Sequence, residues 1–147
     1  MRLWHVGLIP VLPDKQLVSQ WRECCAIAGK IAKTGSPNHI LVNKVIDYPP
    51  IHILTYTSLV INEMHKRNFK ISEKAYLDFC KNIENGIEHF NMYTYRYVPA
   101  MINDIFRDWH NDRYLKQCLY NLQEKYDCKG ITKEEWSKIN AIMEVKL

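Results

Sequence analysis

Glycine is scarce in this sequence, with five residues among 147, and no apolar run reaches the length needed to cross a bilayer. No low-complexity linker and no internal repeat divide the chain, so we expect one domain over residues 1–147. The opening stretch MRLWHVGLIPVLPD is too short an apolar run for a signal peptide and has no small-residue cleavage site. These absences exclude a membrane-spanning class and favour a protein without membrane contact.

Cysteine is present, but without the spacing of a metal or redox site. The five cysteines stand at positions 24, 25, 80, 118 and 128, with no C-x-x-C pair and no histidine at zinc-ligand spacing. Cys24, Cys80 and Cys118 fall on apolar faces of predicted helices, where a thiol packs as a small hydrophobe. Such usage is typical of a reducing cytoplasm, and we expect no metal and no cofactor.

The charge balance is mildly basic. The net charge is +4 at pH 7, with 47% apolar and 24% charged residues, which is ordinary for a globular domain. This balance is compatible with a nucleic-acid partner but does not by itself establish one.

Helical periodicity dominates the chain and predicts an all-α, irregular bundle. We expect a first helix from about Pro13 or Asp14 to about Lys33, and a second, central one from Pro49–Pro50 to about Asn68. A third opens at Ser72, and a short helical piece is expected near residues 99–107. A fourth begins at Asn111 or Asp112, and a last one follows the capping box TKEE at 132–135. The segment between the first two helices is expected to be irregular or briefly extended.

The apolar stripes predict which helix faces are buried. On the first helix the stripe contains Leu17, Trp21, Cys24, Cys25, Ala28 and Ile31. Two flanks are then expected to point away from the core: Gln16, Gln20, Glu23, Ile27 and Lys30 on one, and Lys15, Ser19, Arg22, Ala26 and Lys33 on the other. On the third helix the expected seam is Tyr76, Cys80, Ile83, Ile87 and Phe90.

The pair Arg22–Glu23 lies within WREC, about twenty residues from the chain start. Taken alone it is typical of a solvated helix face with a basic strip. However, WREC, its context DKQLVSQWRE and the leading MRLWH resemble the pyrimidine-dimer DNA glycosylases of the phage endonuclease V type. The helix end INEMHKRNFKI extends the similarity to about residue 70. The later stretch NDRYLKQCLYNLQEKYDCKGI is similar to a cellular branch of the same family.

The resemblance implies an all-α fold with the N-terminal segment packed between helices, and a repair activity on damaged double-stranded DNA. It implies that the chain's own α-amine attacks the sugar C1′, displaces the base and forms an imine, after which the strand is nicked by β-elimination. Met1, Arg2 and Glu23 are the catalytic residues that it indicates, with Glu23 stabilising the cationic sugar and moving protons. Arg22 carries over as a contact to phosphate or to the strand of the flipped base. A monomer is expected.

Elementary acid–base chemistry is consistent with an N-terminal nucleophile. An α-amino group titrates near 7.7–8.0 and a lysine near 10.4, so at pH 7 roughly one terminal amine in eight is neutral, against about one lysine in 2,500. A terminal amine therefore supplies a reactive nucleophile without deep burial.

Further DNA contacts are expected from the first helix and from the connector behind it. The residues are Gln16, Lys15, Lys30, Lys33, His39 and Asn43. Gln16 stands where the family has a histidine, and Ala26 where it has an arginine. The second residue is Arg2 rather than a small residue, which places the expected nucleophile on Met1, one residue further out.

Several interpretations remain open at the level of sequence. Trp4 suits a core position or a stacking platform, and His5 suits a structural role or one that tunes the site. The stretch YTYRY at 93–97 fits base stacking or core packing. For the whole chain, the alternatives to a glycosylase with lyase activity are a non-catalytic DNA-binding helical module and a helical interaction protein without nucleic acid.

Overall fold

The computed structural model describes residues 1–93, 99 and 101–146, and in this part of the chain it is all-α without strands. The five α-helices are α1 (Asp14–Thr34), α2 (Pro50–Lys66), α3 (Glu73–Asn85), α4 (Asp112–Asp127) and α5 (Lys133–Lys146). Four 3₁₀ segments accompany them: Val6–Val11, Asn43–Asp47, Ile87–His89 and Ile102–Asp104. The all-α prediction is confirmed. No helix in the described ranges is both long and apolar enough to pass through a bilayer.

The helix ends follow the local signals in the sequence. Gly35 ends α1 in the left-handed conformation, with φ of 87°, and its N–H bonds to the carbonyl of Ile31 at 2.9 Å. The side chain of Ser72 caps α3, and that of Asn111 caps α4. The capping box before α5 is confirmed, since Thr132 and Glu135 exchange backbone-to-side-chain hydrogen bonds of 3.1 Å.

The helices pack around one continuous apolar cluster. α1 packs against α3 and α2, and α4 packs against α5. The contact of α1 with α3 includes Trp21 and Phe79, whose rings meet edge-on at 5.9 Å. Tyr126 of α4 stacks on Trp136 of α5 at 5.0 Å with nearly parallel rings. Trp136 is therefore half-buried at the α4–α5 contact, while Ile139 and Met143 complete the buried face of α5.

Two of the expected burial patterns are wrong in part, although Ile83 and Phe90 of the expected α3 seam are buried. On α3 the buried residues are Phe79 and Ile83, whereas Tyr76 is exposed, as is Ile87 just beyond the helix. The reason is that α3 turns its Phe79 side toward Trp21. On α1, Gln20 and Ile27 were expected to point away from the core, and both are fully buried.

A side chain from the end of α2 fixes the start of α1. The guanidinium of Arg67 donates to the carbonyls of Leu12 and Pro10 at 2.6 and 3.0 Å, and pairs with Asp14 at 3.0 Å. It also pairs with Glu63 of its own helix at 3.1 Å. Because these bonds hold the last residues of the Val6–Val11 segment against α2, they set where the chain enters α1.

Candidate active site

The first five residues lie against the helices rather than in solvent. Leu3 is fully buried and Trp4 nearly so, while Met1 keeps 38% of its surface exposed. Trp4 therefore belongs to the core, which decides between its two sequence interpretations. The chain then turns into the 3₁₀ segment Val6–Val11, whose cap is the side chain of His5, accepting from the Gly7 N–H at 3.0 Å.

The beginning of the chain meets Glu23 of α1. The Arg2 N–H donates to Glu23 Oε2 at 2.9 Å, and Glu23 is half-buried. The α-amine of Met1 belongs to the residue that immediately precedes this amide. Folding thus brings the first peptide bond of the chain against this carboxylate, and Met1 itself stays partly open to solvent.

Gln20, one turn before Glu23, connects the two sides of this contact. Its Nε2 donates to the Arg2 carbonyl at 2.8 Å and to Glu23 Oε2 at 3.2 Å. Its Oε1 accepts from the Trp4 N–H at 2.7 Å. The Gln20 amide is fully buried and is hydrogen bonded to backbone groups on both sides of Leu3. It therefore fixes the path of the N-terminal segment relative to α1.

Tyr56 of α2 completes the hydrogen-bond network around Gln20. Its hydroxyl lies 2.7 Å from the Trp4 carbonyl and 2.8 Å from Gln20 Oε1, so one proton is shared between two acceptors. Burial raises the pKa of Tyr56 well above its ordinary value, and the hydroxyl therefore stays protonated as a donor. The sequence interpretation gave no role to Gln20 or Tyr56, whose side chains both hold the N-terminal segment.

Residues near α4 hold the opposite side of the segment. The Tyr114 hydroxyl donates to the Leu3 carbonyl at 2.5 Å. His5 Nε2 donates to the His110 carbonyl at 2.9 Å, and His110 Nδ1 accepts from the Val6 N–H at 3.0 Å. The His5 and His110 rings stack at 5.4 Å. His5 therefore has a structural role, which decides between its two sequence interpretations.

The side chain of Arg2 turns away from Glu23. Its guanidinium carbon lies 5.5 Å from the centre of the Trp4 ring, within cation–π range. The same group approaches Tyr114 and Cys118, where it opposes the effect of burial, which raises the pKa of both side chains. Arg2 thus contributes a backbone N–H to Glu23 and a positive charge to the α4 side of the segment.

Glu23 has one oxygen engaged and one available. Both the Arg2 N–H and the Gln20 amide bond to Oε2. Among the residues that the structure describes, Oε1 accepts no hydrogen bond, and the Met1 amine forms no ion pair. The carboxylate is thus held by two donors while its second oxygen is free to face a ligand.

The predicted DNA contacts on α1 lie mostly on its exposed side. Lys15, Arg22, Lys30 and Lys33 are all exposed. Arg22 and Lys70 line a cavity of about 510 Å³ between α1 and the start of α3. The half-buried Gln16 has an Oε1 that lacks a hydrogen-bond partner in the described part of the chain. These placements are compatible with a basic DNA-facing strip beside Glu23.

His39 and Asn43 form a turn of their own behind α1. The His39 N–H donates to Asn43 Oδ1 at 2.9 Å, and the Leu41 N–H bonds to His39 Nδ1 at 3.3 Å. Within the described ranges neither side chain is hydrogen bonded to Arg2 or Glu23. Of the stretch YTYRY, Tyr93 is exposed, and residues 94–98 lie outside the described part of the chain.

Comparison with known families decides the assignment. The sequence profile of a family described as pyrimidine dimer DNA glycosylase matches residues 1–77. The chain belongs to this family. Membership makes it a DNA glycosylase of the repair class, with DNA as its substrate. No curated protein and no solved structure matches the chain.

The matched region and the site coincide only in part. Met1, Arg2, Gln20, Glu23 and Tyr56 all lie within residues 1–77 of this glycosylase. The side chains that clamp the segment from the other side, His110 and Tyr114, lie beyond it. The second half of the chain therefore completes the support of the site.

Proposed function

We propose that this protein is a DNA glycosylase and AP lyase that acts on pyrimidine dimers in duplex DNA, with the Met1 α-amine as its nucleophile. The observation that supports this most directly is the 2.9 Å bond from the Arg2 amide to Glu23. It holds the leading residue beside a carboxylate whose second oxygen is free. A deoxyribose placed between the amine and that oxygen would meet a nucleophile on one side and an anion on the other.

The first step exchanges the base for the amine. The neutral amine attacks C1′, and the electrons of the glycosidic bond leave with the base. As this bond lengthens, positive charge develops on the sugar, and the Glu23 carboxylate stabilises it. Opening of the C1′–O4′ bond then gives an imine between C1′ and the Met1 nitrogen, while O4′ takes up a proton.

The second step breaks the strand. The protonated imine withdraws electrons, so a proton is lost from C2′ and the C3′–O bond breaks, with its electrons leaving on the 3′ phosphate. Glu23 Oε1 is the acceptor we assign to the C2′ proton, because Oε2 is occupied by the Arg2 and Gln20 donors. Hydrolysis of the imine releases the amine for another cycle.

DNA binding is assigned to the exposed side of α1 and the connector behind it. Arg22 contacts phosphate through its fork of donors, and Lys15, Lys30 and Lys33 extend the positive strip. Gln16, His39 and Asn43 add polar contacts. We propose that the protein acts as a monomer in the cytoplasm, without a metal or cofactor.

Reductive trapping tests this function. Borohydride is added to the protein with a duplex that carries either a pyrimidine dimer or an abasic site, and the adduct is mapped by mass spectrometry. We expect a covalent adduct on the peptide that begins at Met1. An adduct on a lysine would contradict the assigned nucleophile. Duplex binding without any adduct or nick would instead indicate a non-catalytic DNA-binding module.

A further inference from the structure

The turn that follows α1 exposes two adjacent apolar side chains. Ile40 is 86% exposed and Leu41 is 45% exposed, although both are branched hydrophobes. Single exposed apolar residues are common, but a neighbouring pair at the tip of a turn forms a small projecting apolar surface.

The turn holds its tip in a fixed position. The His39 carbonyl accepts from the N–H groups of Val42 and Asn43 at 3.0 and 2.9 Å, and the His39 N–H bonds to Asn43 Oδ1. Val42 is fully buried and fastens the turn to the core. Ile40 and Leu41 therefore project from a hydrogen-bonded turn rather than from a loose loop.

The projecting pair borders the active site through a groove. Ile40 and Leu41 line a groove of about 340 Å³ together with Trp109 and Tyr114. The Tyr114 hydroxyl bonds to the Leu3 carbonyl, two residues from the Met1 amine. One tyrosine side chain thus connects the wall of the groove to the segment that carries the proposed nucleophile.

The charges around the groove complement a nucleic-acid backbone. Lys44 and Arg113 both line it, with Asp108 as a carboxylate beside them. A duplex presents phosphates on its outside and an apolar base stack inside. Cations that flank an apolar projection match this arrangement, because the cations contact phosphate while the apolar side chains enter between bases.

We propose that Ile40 and Leu41 form a wedge that enters the base stack of duplex DNA next to the nucleotide under attack, with Lys44 and Arg113 on the flanking phosphates. The proposal rests on the proposed function, since a sugar can reach the Met1 amine only when the duplex is bent and a nucleotide is displaced from the stack. Apolar side chains inserted at the adjacent step replace part of the stacking that displacement removes.

The test compares Ile40→Ser/Leu41→Ser with the wild-type protein and with the control Leu77→Ser/Ile87→Ser. Leu77 and Ile87 are exposed apolar residues in and just after α3. Each protein is given the same abasic strand as duplex and as single strand, and borohydride trapping rates are measured. We expect the ratio of duplex to single-strand rate to fall by about tenfold or more in the wedge variant, and to be unchanged in the control.

A second measurement detects base unstacking independently of the trapping reaction. A 2-aminopurine placed beside the abasic site brightens when it is unstacked. We expect wild-type protein to raise its fluorescence and the wedge variant to lose that rise. Wild-type protein that brightens the probe but traps no strand would contradict the proposed function and retain the wedge. The proposed wedge is contradicted if the variant matches wild type in both measurements. It is also contradicted if the variant differs from wild type only in self-association, measured by sedimentation.

Discussion

The backbone amide of Arg2 donates a hydrogen bond to the carboxylate of Glu23 across 21 positions of sequence. Because the donor is a backbone N–H rather than a rotatable side chain, this bond fixes the position of the main chain at Arg2. Gln20 reinforces the arrangement by donating to both partners. The chain at Arg2, directly after the proposed nucleophile, is therefore held by α1.

Replacing Glu23 with glutamine removes the negative charge but keeps a hydrogen-bond acceptor. In Glu23→Gln an amide oxygen still accepts the Arg2 N–H, but no anion faces the developing cation. We expect nicking of a dimer-containing duplex to fall by about 100-fold or more, with duplex affinity unchanged or tighter. Single-turnover nicking and gel-shift titration measure the two quantities. Glu84→Gln, which changes an exposed carboxylate of α3, should nick normally. Normal nicking by Glu23→Gln would exclude Glu23 from the chemistry.

Replacing Gln20 with methionine preserves volume and removes every polar contact. The Trp4 N–H and the Arg2 carbonyl then lose their side-chain partner, and each such group costs about 1–3 kcal/mol when buried. We expect the free energy of unfolding in urea to drop by about 3 kcal/mol, and kcat to fall further than KM rises. Gln123→Met, at a half-buried position of α4, is the matched control. A stable Gln20→Met protein with wild-type kcat would show that the network does not position the site.

The buried histidines predict that stability falls in mild acid. Burial lowers the pKa of His5 and His52, and it lowers the pKa of His110 well below its ordinary value. The neighbouring His5 lowers the pKa of His110 further. At His5, the carboxylate of Asp112 opposes the lowering of the pKa by burial. The unfolded chain binds protons near pH 6.5 and the folded chain does not, so the stabilisation is present above pH 6.5 and is lost as the pH falls below it.

The measurement is the free energy of unfolding between pH 5 and pH 8. His110 stays neutral in the folded chain over this range, so its Nδ1 keeps accepting from the Val6 N–H, and the decline reflects proton uptake by the unfolded chain. His110→Asn, which keeps a side-chain acceptor without a titrating ring, should flatten the decline in stability, and His65→Gln at an exposed position should not. Stability that rises toward pH 5 would contradict the prediction.

Arg22→Ala should weaken DNA binding through charge alone. Arg22 is exposed on α1, so its removal leaves the core intact. We expect uniformly weaker binding to duplexes of any sequence, and a slope of log affinity against log salt reduced by about 1. Fluorescence anisotropy over a salt series measures this slope. Lys138→Ala, at an exposed position of α5, is the control. An unchanged slope for Arg22→Ala would place the DNA on another face.

Local signals made the helices predictable, whereas partnerships across the fold were not. The limits of α1 and the capping box of Thr132 and Glu135 depend on residues within one turn of each other, and both were correct. Gln20 was placed on an exposed flank because a glutamine beside an apolar stripe usually faces water. Its burial is favourable only because Arg2, Trp4 and Tyr56 supply partners, and no pattern within α1 encodes them.

The candidate site was found in part for the same reason. The proximity of the chain start to Glu23 was implied by the family resemblance of MRLWH and WREC, and the structure has the Arg2 amide on that carboxylate. The contribution of His110 and Tyr114 was not foreseen, because they lie more than one hundred positions from the residues they hold. On α3, both Tyr76 and Phe79 offered an aromatic face, and only the packing against Trp21 selects Phe79.

The clamp between Leu3 and Tyr114 joins residues that are 111 positions apart, and this has a consequence for biosynthesis. A ribosome adds about 5–20 residues per second, so the opening residues wait roughly 5–20 seconds before α4 emerges to receive them. During that interval α1 can form, yet the segment that carries the proposed nucleophile still lacks its hydrogen bond to Tyr114. Repair competence would then arise late on each nascent chain, and messages truncated before α4 would yield products without it.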